Sequence, residues 1–196
     1  MGDSYVNMTL ENIDKGDPMA VYKQMNGVDM FLGITFNNIR VSFFAFMMGL
    51  LVSFGTAWIL ISNGIMLGAF QYFFHIHNLL FASVLVIWIH GTLEISSIII
   101  AGAAGLVLGN SILFPGTYSR RQSFMIASNE GLKMIVSLIP IFIIAGFLES
   151  FVTRLTGMPV FLSLTIILSS LAFVLWYFFI YPLKIYNKMA AENGSK

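Results

Sequence analysis

The sequence predicts an all-α fold, a polytopic helical membrane bundle with about four full spans and one short or re-entrant helix. Three observations predict it. Of the 196 residues, 58% are hydrophobic and only 10% charged, where a soluble domain carries about 25% charged residues. Asp, Glu, Lys and Arg are missing from 41–93, 95–119, 134–148 and 155–183. The apolar runs also lack the alternation of a β-barrel, as in Ile98-Ile99-Ile100 and in 175–180. The composition excludes a soluble enzyme and a disordered chain, and a net charge of +1 leaves no basic surface for nucleic acid.

A helix needs roughly 20 apolar residues to cross a hydrocarbon core of about 30 Å, and the stretches 40–62, 79–109, 132–151 and 160–181 meet that length. The second is long enough to tilt or bend, with Gly102, Gly105 and Gly109 as bending points. Between the first two lies 64–74, with Asn63 as its N-cap, expected to return into the membrane or lie on its surface. Ahead of the spans, Asp17-Pro18 is a helix-start pair and predicts a short amphipathic surface helix running towards Asn26-Gly27. The expected organisation is an N-terminal segment over 1–36, a membrane domain over 37–183 and a tail over 184–196.

With four crossings and a cytoplasmic N-terminus, the inside holds Lys15, Lys23, Arg40, Arg120, Arg121, Lys133, Lys184, Lys188 and Lys196 against Arg154 outside. The positive-inside rule then places both termini in the cytoplasm of a multi-pass cell-membrane protein. Asp3, Glu11 and Asp14 stand where a secretory signal would be basic and then apolar, so none is expected.

Cys is absent, which leaves His and carboxylates for chemistry. Glu94 lies about fifteen residues into its stretch, near mid-bilayer at roughly 1.5 Å per residue. A carboxylate there is costly and usually faces the bundle interior. His90 precedes it by four residues and Ser97 follows by three, so the three share a helical face and form an intramembrane polar site. The same residues also suit a structural role as interhelical glue. A protein-bound metal would need a third ligand, from His75, His77 or Glu149, and neither a metal nor a cofactor is expected. Asn63, Glu149 and Arg154 make an outer polar cluster, the last two read as an interfacial ion pair. Arg120 and Arg121 make a cytoplasmic basic loop that orients the chain and meets anionic headgroups. Gly64 with Gly68, and Ala101 with Gly105 and Gly109, recur at four-residue spacing for close helix packing, within the chain or across a homodimer. No phosphate loop, nucleophile elbow or His-Glu-x-x-His occurs, and no catalytic residue is assigned.

Asn37-Asn38-Ile39-Arg40, Asn63-Gly64 with Gly68, His90-Gly91-Thr92-Leu93-Glu94, the run Ala101-Gly102-Ala103-Ala104-Gly105, Pro115-Gly116 before Arg120, and Glu149 near Arg154 together resemble the stage II sporulation protein M family. The His-Gly-x-x-Glu element followed by the Ala/Gly run is the specific part. The resemblance implies a prokaryotic multi-spanning membrane protein, and in sporulation members a non-enzymatic anchor for peptidoglycan-remodelling enzymes. Two functions follow as expectations. The preferred one is a membrane scaffold whose partners are the lipid bilayer and envelope proteins; the alternative is an ion- or proton-coupled transporter or channel using Glu94 and His90. A polar, water-accessible cavity reaching Glu94 would favour transport, and a dry, closed bundle the scaffold.

Overall fold

The computed structural model describes residues 3–18, 20–23, 26–155 and 157–194. They form α1 (Asp3–Asp14), α2 (Gly27–Met47), α3 (Phe54–Ile76), α4 (Leu80–Leu113), α5 (Arg120–Phe147), α6 (Val160–Leu175) and α7 (Tyr181–Gly194), with no strand among the described residues. Short 3-10 and π turns extend α2 to Leu50, α5 to Val152, and α6 into α7, which gives five helices long and apolar enough to cross a membrane.

The five alternate in direction. Gly27, at the start of α2, lies against Phe151 and Arg154 at the end of α5, while Gly49 lies against Gly105 near the end of α4. Leu60 of α3 meets Gly102, and Thr56 meets Gly105, so α3 returns antiparallel to α4. α4 is the central helix: it touches α2, α3, α5 and α6, and it is the most buried of the five. At 34 residues it extends about 51 Å, at 1.5 Å per residue, and so outruns a hydrocarbon core of about 30 Å. The core between α2, α4, α5 and α6 is built from Phe46, Leu93, Ala101, Ala104, Leu108, Leu138, Phe142, Ala145 and Val174. α3 and α6 leave most of their surface outside the bundle.

The apolar stretch 40–62 is two helices, not one. The chain reverses at Leu51-Val52-Ser53, where Val52 and Ser53 take φ of 54° and 68°. Hydropathy does not register this turn because its residues are themselves apolar or small. Its polar groups are satisfied locally: Ser53 N–H donates to Gly49 O, Ser53 Oγ to Leu106 O at 3.0 Å, and Thr56 Oγ1 to Ala45 O at 2.6 Å. The hairpin closes because Gly49, Gly105 and Gly109 let three backbones meet; a Cβ on Gly105 would stand 2.6 Å from both Ala45 O and Thr56 Oγ1.

The expected half-helix 64–74 is therefore the latter part of the 23-residue α3. Asn63 is no N-cap; it sits mid-helix, and its amide donates to Ile59 O at 2.8 Å. Asp17-Pro18 starts no α-helix. The helical segment lies earlier, α1, and stops at Gly16 with φ 79°; Asp17 instead pairs with Lys23 at 2.6 Å, ahead of a 3-10 turn over Ala20–Lys23. Residues 19, 24 and 25 of that expectation, and Lys196, lie outside the described residues. The boundaries at 36/37 and 183/184 fall inside α2 and α7. Arg120 and Arg121 stand in the first turn of α5, not in a loop, behind an N-cap in which Ser119 and Gln122 form a reciprocal capping box. Both termini sharing one side depends on four crossings; five alternating helices put the start of α2 and the end of α7 at opposite ends of the bundle.

Candidate functional site

Three helices send polar side chains to one level of the bundle. From α2 come Thr35, Asn38 and Ser42, buried at spacings of three and four on the face turned to α4 and α5. From α4 come His90, Glu94 and Ser97, which the i, i+4, i+7 pattern aligns. From the π turn Leu148–Val152 that ends α5 comes Glu149, with buried Ser150 beside it. Such turns widen one coil of a helix and recur at functional sites.

Glu149 is the long-range contact that sequence spacing does not reveal. Its carboxylate lies 3.6 Å from His90 Nε2, and one ligand atom each from His90, Glu94 and Glu149 fall within 4.8 Å of one another. Asn38 stands beside Glu94 on the neighbouring helix, its buried amide nitrogen without a hydrogen-bond partner among the described residues. His90 is 5% exposed, so the cluster sits inside protein. Two ionised carboxylates this close repel each other, and apolar surroundings screen them poorly; a positive charge between them relieves the repulsion.

The cluster forms part of the wall of a cavity of about 430 Å³ between α3 and α4. Leu60, Leu67, Phe70, Ile87 and Ile98 make most of that wall apolar, while Asn63, His90, Glu94 and Glu149 supply the polar groups. A cavity therefore reaches Glu94, though its walls are more apolar than those of an aqueous pore.

The remaining sequence candidates scatter. Arg154 does not complete an outer pair with Glu149: the carboxylate turns inward to His90, and the guanidinium donates to Lys23 O at 3.2 Å, tying the end of α5 to the 3-10 turn ahead of α2. Asn63 joins Glu149 on the cavity wall and Arg154 does not. Gly105 and Gly109 pack against the α2–α3 hairpin and Ala101 is fully buried, whereas Gly64 and Gly68 have open space where a Cβ would stand. Sequence reasoning passed over Asn38 as a site residue. Its signal was the polar stripe Thr35, Asn38, Ser42 on an otherwise apolar helix.

A family model described as Stage II sporulation protein M matches residues 3–154. The chain belongs to the stage II sporulation protein M family. The match spans α1 to the end of α5, and so includes Asn38, His90, Glu94 and Glu149, while α6 and α7 lie beyond it. No curated protein and no solved structure matches the chain. Family and apolar helices together make it a multi-pass membrane protein.

Proposed function

We propose that the protein binds a proton or cation inside the membrane and conducts or transports it, with His90, Glu94 and Glu149 as the binding groups. The observation that carries this reading is the convergence of an imidazole and two carboxylates from two helices, within 4.8 Å, on the wall of a cavity of about 430 Å³. Ionisable groups within membrane helices are costly to keep, and they mark ion and proton pathways. A packing role alone needs no cavity beside the pair. The test is flux through proteoliposomes. Proton or divalent-cation movement above that of empty vesicles, lost in Glu94→Gln while the protein still elutes as a folded species, is the expected result; no flux of either from folded wild type overturns it.

A scaffold remains the second reading, favoured by the outward faces of α3 and α6. Trp58, Ile61, Ile65 and Met66 on α3, and Phe161, Leu164 and Leu168 on α6, are exposed on the outside of the bundle, so other membrane proteins, envelope-remodelling enzymes among them, have surfaces to dock on.

In the orientation we favour, the end carrying Arg120, Arg121, Lys184 and Lys188 faces the cytoplasm of the cell membrane. The opposite end, with Lys15, Lys23 and Arg154, then faces outward. Trp176, Tyr177 and Tyr181, whose rings lie against one another where α6 passes into α7, suit the headgroup level on the cytoplasmic side.

A further inference from the structure

We infer that the site takes a divalent transition-metal ion, of the zinc class, held by His90, Glu94 and Glu149 with one coordination position open to the α3–α4 cavity. The inference rests on the reading above that the cluster receives a cation, and it names which.

Charge decides the valence. Two carboxylates and a neutral imidazole carry two negative charges, so a divalent ion leaves a neutral site in surroundings that penalise net charge, whereas a monovalent ion leaves one charge uncompensated. Donor chemistry decides the metal. Magnesium and calcium favour all-oxygen shells, while an imidazole nitrogen beside carboxylate oxygens suits zinc, iron or manganese. The geometry is close to ready: donors at 2.0–2.1 Å from a tetrahedral ion stand ~3.3 Å apart, His90 and Glu149 are already at 3.6 Å, and all three ligand atoms lie within 4.8 Å of one another. Asn38, beside Glu94 with its buried amide nitrogen unpartnered among the described residues, is placed to be the outer-shell partner that orients a metal-binding carboxylate. One turn beyond Glu94 and Asn38 stand the fully buried hydroxyls of Ser97 and Ser42, which have no hydrogen-bond partner among the described residues. Three protein ligands with a fourth position free is the pattern of sites that exchange a water or a substrate at the metal. All three ligands line the same cavity, so that position faces it.

The test uses the full chain in mild detergent, stripped with chelator and titrated with Zn2+, and with Co2+ as a spectroscopic probe. Expected are one ion per chain, a visible Co2+ spectrum of low coordination number, and proton release on binding in weak buffer. Glu94→Gln and Glu149→Gln, which keep side-chain size, should each weaken binding roughly tenfold or more, and Asn38→Ala by roughly tenfold. Glu130→Gln, at an exposed pair with Lys133, should leave it unchanged. Because a variant that misfolds would also lose binding, the wild type carries an independent readout: Zn2+ should raise its melting temperature, and Mg2+ at the same concentration should not. Absence of both stoichiometric binding and the zinc-specific shift in wild type overturns the inference. So does binding that survives Glu94→Gln combined with Glu149→Gln. Proton flux without metal binding would remove the metal and leave the transport reading standing; metal binding without flux would do the reverse.

Discussion

Adding one methyl group to Gly105 should loosen the hairpin that holds α2 and α3 to α4. Its Cβ would stand 2.6 Å from Ala45 O and from Thr56 Oγ1, and 3.1 Å from Phe46 Cα. Two of these atoms are backbone, so relief requires either that α4 and the hairpin part by several tenths of an ångström or that Thr56 gives up its hydrogen bond to Ala45 O. Overpacking of this kind costs about 1–3 kcal/mol. In water a Gly→Ala change in a helix returns about 0.5–1 kcal/mol. In a membrane or detergent micelle much less returns, because the separated helices stay helical. The expected net loss is about 1–2 kcal/mol, or a melting temperature lower by roughly 2–8 °C for a chain of this size. Gly68→Ala is the matched control: nothing lies within 4 Å of its Cβ, and its melting temperature should stay within about 2 °C of wild type. The assay is thermal unfolding in mild detergent followed by tryptophan fluorescence. Gly105→Ala melting with wild type, or Gly68→Ala falling as far, would refute the assignment of Gly105 to a backbone crossing.

Thr56→Val removes the hydroxyl that donates to Ala45 O and should cost about 0.6–1.7 kcal/mol, the range found for hydrogen bonds between membrane helices; Thr56→Ser should recover most of it in the same melt. Topology is open to single-cysteine labelling, since the chain has no Cys of its own. Cysteines at Ser4 and Gly157 should react with an impermeant reagent from outside, and cysteines at Thr117 and Asn187 only after permeabilisation; equal reaction at Ser4 and Asn187 in intact cells would break the five-crossing arrangement.

The helices were legible in the charge pattern, and their ends were not, for two physical reasons. Leu51-Val52-Ser53 reverses the chain with residues that hydrocarbon tolerates, because the backbone groups of the turn find partners inside the protein. Hydropathy sees one stretch where there are two helices. At the other extreme, α5 begins twelve residues before the apolar stretch 132–151, since Ser119 and Gln122 cap a helix whose first turns are polar and exposed. A charge desert measures where lipid is. A helix runs wherever its backbone is capped.

The site divides the same way. His90 and Glu94 share one helix, so four-residue spacing brings them together on paper as well as in the fold. Nearness in sequence pairs Glu149 with Arg154, five residues on. What speaks against that pairing lies in α5 itself. Ile135, Leu138, Phe142 and Ala145 form its buried stripe at spacings of three, four and three, and the next position in that series is Glu149, whereas Arg154 falls five residues further on, past the π turn. A carboxylate that continues an apolar stripe must enter the bundle, and a group entering the bundle must find a partner there. The stripe alone therefore places Glu149 inside. Only the packing of α5 against α4 shows that what it meets is His90, and that a second carboxylate, Glu94, is already there.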